Sequence, residues 1–207
     1  LFNHVKNLYS DTSYYFVNAG SAKGKRIVSQ ASLDTIPDHY STRFDEYSVH
    51  ELDLRSLIKT GRTWYGEAFD NAKNSYDFTF SFPNIDTSAS LRIVTNVAAR
   101  AGVISKFILS ANNKTVDSIT VDYTDLQNTQ NFGQAKQKVT WINHPESAVN
   151  LNLTYRLPAQ NALGWLNSLE LNCRRKLQWT GPQMAFRDGS TIGKKNKTQF
   201  IITGMNP

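Results

Sequence analysis

Between Tyr76 and Cys173 the chain alternates apolar and polar residues in run after run, and this pattern restricts it to a β fold. Tyr76, Phe78, Phe80 and Phe82 alternate with Asp77, Thr79 and Ser81, and Pro83-Asn84 ends the run. Val149, Leu151, Leu153 and Tyr155 oppose Asn150, Asn152 and Thr154 in the same way. Leu169, Leu171 and Cys173 fall on one face at period two, with Ser168, Glu170 and Asn172 on the other. Successive side chains of an extended strand point to opposite faces, so these are strands with one face in a core.

Residues 91–97, 103–109, 118–123 and 136–142 read as further strands, and Asn112-Asn113-Lys114 as a hairpin tip. Strands at this spacing, joined by polar turns with almost no helix, predict two antiparallel sheets packed face to face. The expected fold is therefore an all-β antiparallel sandwich of jelly-roll type. A chain of 207 residues with 40% hydrophobic residues, including 4 Trp, 9 Tyr and 11 Phe, has enough apolar surface for one large β domain with small appendages.

The flanks are less regular. Phe2, Val5 and Leu8 have the spacing of a brief helical turn. Residues 13–17 (SYYFV) and 25–29 (KRIVS), joined by a turn at 20–24, form the expected N-terminal hairpin. Residues 53–61 (DLRSLIKTG) are the one expected short helix: Asp53 caps it, Leu54, Leu57 and Ile58 share a face, and Gly61 closes it. Residues 62–69 return to strand. Beyond Leu177, Gly181-Pro182 breaks the pattern, and 184–186 and 199–203 are expected as short strands. The domain division is 1–60 for the hairpin region and helix packed on the sandwich, 61–177 for the sandwich, and 178–207 for exit strands. No run approaches about 18 apolar residues, so no transmembrane helix is expected. The chain starts at Leu1 without a signal peptide and stops just after an apolar run, and both ends read as cut from something longer.

The candidates for chemistry are sparse. Cys173 is the sole cysteine; a nucleophilic thiol needs access and a lowered pKa, whereas the alternation places it with Leu169 and Leu171 as a small core residue. His4, His39, His50 and His144 show no helical metal spacing, and there is no HExxH or CxxC. His50-Glu51 lies in the extended segment 47–52. Asp122 with Asp125, or Asp45 with Glu46, lack the contiguous spacing of a calcium loop. Gly189-Ser190-Thr191-Ile192-Gly193 with Lys194 lacks phosphate-loop spacing. Trp64, Tyr65, Trp141, Trp165 and Trp179 are the available stacking platforms, and most lie in strand-like segments that favour the core. The net charge of +6 comes from Lys23-Gly24-Lys25-Arg26, Arg174-Arg175-Lys176 and Lys194-Lys195-Asn196-Lys197, read as solvated loops. Basic residues in separate loops do not make a nucleic-acid face. No catalytic, cofactor-binding or metal-ligating residue is assigned, and no cofactor is expected.

Several runs, in order, carry a family resemblance. They are Asn3-His4-Val5, YSDTSYYF at 9–16, Gly24-Lys25-Arg26-Ile27, EYSVHE at 46–51 and TGRTWYGE at 60–67. GWLNSLELN at 164–172, QMAFR at 183–187 and Phe200-Ile201-Ile202 follow. Together they resemble the gingipain-type cysteine peptidases that act as sortases of the type IX secretion system in Bacteroidota. The resemblance places this region before the peptidase domain, whose His and Cys then lie beyond Pro207; Cys173 does not match the nucleophile. It implies an exported protein at the cell surface or outer membrane that removes C-terminal sorting domains from cargo and attaches cargo to anionic lipopolysaccharide. The expected role of these residues is non-catalytic, either bracing the peptidase domain of the same chain or contacting cargo, other type IX components or anionic lipopolysaccharide. The alternative expectation is a carbohydrate-binding-module-like domain for an anionic surface glycan, motivated by the basic charge and the sandwich fold.

Overall fold

A computed structural model describes residues 1–7, 12–31, 35–58, 62–128, 130–192 and 197–205. Eight strands build the two layers: β2 (Arg43–Glu51), β4 (Ser75–Ser81), β5 (Leu91–Arg100), β6 (Ser105–Ala111), β7 (Lys114–Val121), β8 (Gln134–Ile142), β9 (Ala148–Arg156) and β10 (Leu163–Lys176). One sheet runs β2-β10-β5-β8 and the other β4-β9-β6-β7. All these pairings are antiparallel, and the strand order is that of a jelly roll, as expected. The short β3 (Ala68–Phe69) pairs with β10 beyond the end of β2. Outside the sandwich, β1 (His39–Ser41) pairs in parallel with β11 (Thr198–Phe200).

The alternation seen in the sequence builds the interface between the sheets. Phe107, Leu109, Leu151, Leu153, Leu169 and Leu171 meet there with essentially no solvent exposure. Each such side chain contributes roughly 1.5–3 kcal/mol on leaving water. Asn112 and Asn113 both adopt positive φ, 47° and 65°, in the two-residue link between β6 and β7. Asparagine tolerates that left-handed pair, and the tip matches the expected hairpin turn.

One register shift decides which way the end of the sandwich faces. β10 slips by one residue against β5 between Leu166 and Ser168. The extra residue reverses the alternation, so Leu166 and Leu169, three apart, both enter the core. Trp165 is turned outward into a small separate cluster with Tyr65 and Ala98.

The structure corrects several flanking expectations. Residues 13–17 and 25–29 form no hairpin; 12–31 carries no strand and is exposed throughout. A lone two-stranded ribbon is marginal without a sheet to pack on, and none covers it here. No helix forms among the described residues 53–58; Arg55 instead bridges to Tyr65, with Tyr65 N donating to Arg55 O at 2.9 Å. Residues 59–61 of that expected helix lie outside the described residues. Pairing to a neighbour outcompetes a short helix whose nucleation is costly. Residues 184–186 make no strand, and Phe186 packs on Phe200 at 5.2 Å between ring centroids. Of 62–69 only Ala68–Phe69 is strand, and β2 extends well before the segment the sequence marked as extended.

Gly164 opens β10 against two core rings: a Cβ there would stand 2.8 Å from Phe107 Cζ and 3.2 Å from Tyr155 Cδ1. Gly164→Ala should therefore destabilise the fold by about 1–3 kcal/mol through overpacking. Gly20→Ala, which meets nothing within 4 Å, is the control and should shift the urea midpoint by no more than about 0.5 kcal/mol equivalent.

Candidate functional site

β10 carries the groups of interest on both faces. On the inner face Cys173 is buried among core residues, and burial pushes its thiol up to about 12. A protonated, enclosed thiol is no nucleophile. The core reading of Cys173 from alternation holds.

The outer face of β10 is polar yet almost as buried: Ser168, Glu170 and Asn172 are 3%, 8% and 3% exposed. Residues 1–7 cover them as an extended strap. Phe2, His4 and Lys6 face the sheet while Leu1, Asn3, Val5 and Asn7 are exposed. Phe2 N donates to Asn172 Oδ1 at 2.7 Å, and His4 N donates to Glu170 Oε2 at 3.1 Å. The Phe2 ring lies 4.6 Å from that of Tyr47 on β2, with the Arg187 guanidinium 5.2 Å away. His4 Nε2 pairs with Glu51 and Lys6 Nζ with Asp53. Beside the strap lies an open groove of about 440 Å³, bordered by His4, Lys6, Tyr65, Asn96, Gln137 and Glu170.

The adjacent His50 and Glu51 point to opposite faces, as neighbours on a strand must. Glu51 meets His4 outside, whereas His50 Nε2 meets Glu67 Oε1 at 2.8 Å on the inner side, its ring 4.8 Å from Phe78. Burial is the largest influence on the Glu67 carboxyl and raises its pKa, but the interaction with His50, a backbone hydrogen bond and nearby Lys73 together outweigh it, so the net direction is down.

At the other end of β10 the expected basic loop is a strand end locked in ion pairs. Arg174 Nη1 donates to Asp45 Oδ1 at 2.8 Å and to Asp188 Oδ1 at 2.7 Å. Asp188 also accepts from Ser41 Oγ at 2.7 Å and caps the 3₁₀ turn Gly189–Thr191 through Ser190 N at 3.0 Å. Burial alone would raise the Asp188 carboxyl, but its bonds to Arg174, Ser41 and Ser190 hold it well below the usual carboxylate range. Arg175, 7% exposed, donates from Nη1 to Glu46 Oε2 at 3.1 Å and from Nε to Pro83 O at 2.6 Å. These arginines are spent on the fold and form no anion site. The turn at 189–191 is thus a capped structural turn, while Gly193 and Lys194–Asn196 lie outside the described residues.

The remaining candidates stay apart. Asp45 and Glu46 answer the arginines, and Asp125 Oδ1 accepts from Gln127 N at 3.0 Å in its own turn. His144 sits in a turn at φ 51° with Nδ1 3.2 Å from Thr87 O. Among the described residues no three His, Cys, Asp or Glu side chains converge as metal ligands. Tyr65 and Trp165 are buried, whereas Trp64, Trp141 and Trp179 are exposed, which corrects the core expectation for those three. Sequence reasoning missed the strap and the Asp188 anchor. The period-two placement of Phe2, His4 and Lys6 was the available signal for the first.

The geometry defines a jelly-roll sandwich with a strapped polar sheet face and an ion-paired exit segment. No protein-family model and no curated protein matches the chain. Among solved structures it is similar to dimeric latent PorU from Porphyromonas gingivalis, with a TM-score of 0.69 and 23% identity over 83% of this chain. That match spans 16% of the PorU chain, and at this identity it is a likeness of fold. The carbohydrate-binding module CBM36, solved with calcium and xylotriose, aligns at a TM-score of 0.36 and 12% identity over 63% of this chain and 99% of its own. A family 35 carbohydrate-binding module from Clostridium thermocellum aligns at 0.35 and 12% over 66% and 98%. Those two scores are too low to argue from.

Two measurements follow from these environments. The Cys173 thiol should not react with a bulky aromatic disulfide reagent at pH 8 in the native state and should react promptly in denaturant. Because its native pKa is raised, the neutral thiol favours the fold below about pH 9, and that contribution is lost as pH climbs toward 12. Asp188 has the opposite sign: its lowered native pKa favours the fold above the unfolded carboxylate value near 4, and this fades as pH falls. Thermal melts at pH 7 and pH 3 should therefore show a smaller acid-induced loss for Asp188→Asn than for the unaltered chain.

Proposed function

We propose that this chain is a non-catalytic β-sandwich domain of a surface cysteine peptidase resembling the type IX secretion sortase. The observation that carries the reading is the fold's similarity to part of PorU, in line with the resemblance of the sequence runs. The ordered runs from Asn3 to Ile202 resemble that peptidase family, and the fold is similar to part of PorU. The buried, protonated Cys173 supports a role without chemistry of its own. In this reading the domain braces the peptidase domain of the same chain and offers a surface to cargo C-terminal domains, other secretion components or anionic lipopolysaccharide. The parent protein then works at the outer membrane, cleaving sorting domains and transferring cargo. The Arg174–Asp188 pair and the β1–β11 pairing support bracing, because they tie the chain down at Asp188 and at 198–200.

The test is an assay of the purified chain alone and joined to its downstream residues. The chain alone should cleave no peptide, with Cys173 intact or replaced by Ala. Cleavage that disappears in Cys173→Ala would sink the proposal. So would downstream sequence without a caspase-like His and Cys pair. A separately expressed peptidase domain should co-elute with this chain, and loosening the exit with Asp188→Asn should weaken that complex.

A further inference from the structure

The contact between residues 1–7 and the sheet has the form of ligand recognition. The two amides of the strap that meet β10 are Phe2 on Asn172 and His4 on Glu170, so the strap runs antiparallel to β10 in a single register. Acceptors two residues apart on a strand stand about 6.6 Å from each other, which is the spacing of alternate amides in any extended chain. Asn172 and Glu170 thus present side-chain oxygens as a ladder raised above the sheet face. Such a ladder reads extended backbone and ignores side-chain identity, much as an exposed sheet edge does.

Side-chain selection comes from the flanks. Tyr47 and Arg187 hold the ring of Phe2, Glu51 receives His4 and Asp53 receives Lys6. The pattern that matches these partners is an aromatic residue followed at alternate positions by two basic ones. Residues 1–7 form no strand and meet β10 through its side chains, and Leu1, Asn3 and Val5 are exposed. A short segment held outside any strand ladder, by side-chain acceptors, two ion pairs and one ring contact, is a unit that can open below the cost of global unfolding. The groove of about 440 Å³ beside the strap gives an incoming chain room to enter. The face beneath is composed like an interface: Ser168, Glu170 and Asn172 are polar and buried, and the strap's amides meet the last two.

We propose that the outer face of β2 and β10 is a groove for an extended peptide of aromatic-x-basic-x-basic pattern, occupied in cis by residues 1–7 and open to such a peptide in trans. This goes beyond the peptidase reading and does not rest on it.

The test uses the whole chain. A variant carrying Phe2→Ala, His4→Ala and Lys6→Ala weakens the cis occupant by removing its three side-chain anchors, without touching the core. The probe is the acetylated and amidated heptapeptide LFNHVKN, titrated calorimetrically. The variant should bind it with 1:1 saturation, and the unaltered chain at least about tenfold more weakly because its groove is filled. The heptapeptide LFHKNVN has the same composition with the three anchors made adjacent, and should bind the variant at least about tenfold more weakly. A folded variant that binds neither peptide, or both equally, overturns the proposal. If the variant does not fold, amide exchange in the unaltered chain decides. The Phe2 and His4 amides should exchange at least about 100-fold faster than those of Leu169 and Leu171. Equal protection would make the strap a permanent part of the fold and overturn the proposal.

Discussion

Strand β10 has to satisfy four environments at once, and the rest of the structure is arranged around that requirement. Its inner face supplies Leu166, Leu169, Leu171 and Cys173 to the core. Its edges pair with β2 and β3 on one side and β5 on the other. Its outer face is closed by the strap, and its C-terminal end is held by Asp45, Glu46 and Asp188. A central strand of 14 residues with no open side allows little substitution. Loss of its register would move every one of these side chains to the wrong face at the same time.

The electrostatics follow from the same strand. Arginines near the interior of a small sandwich would be costly if left alone, since burial disfavours an unpaired charge. Here Arg174 and Arg175 lie beside carboxylates brought by β2 and by the exit segment. Their charge thereby becomes a fastening for elements that share little apolar surface with the sandwich. A +6 chain thus holds part of its basic excess inside the fold, which weakens any argument from net charge to an anionic partner.

The sandwich was legible because its strands repeat a period-two pattern that only a half-buried extended chain needs. Seven of the eight layered strands were visible this way. β2 was only partly so, since its apolar residues Phe44, Tyr47 and Val49 do not share one face. The failures share a cause. The 13–17 and 25–29 segments have strand composition but no sheet to join, and 53–58 has helix signals but a better partner in Tyr65. Local propensity is a weak prior that tertiary pairing overrides. The strap and the Asp188 anchor join residues far apart in sequence, such as Phe2 with Asn172 or Ser41 with Asp188, and no local pattern reports such a pair.

What the sequence determined by itself was the layer architecture and the inert placement of Cys173, because alternation depends only on nearest neighbours along a strand. What the tertiary structure decided was which polar residues meet. It turned an apparently basic loop into a buried ion-paired strand end. It also converted an unremarkable N-terminal stretch into the occupant of a sheet face. Those outcomes depend on the strand order β2-β10-β5 and on the β2–β10 register, which set the distances between charges that the chain leaves more than a hundred residues apart.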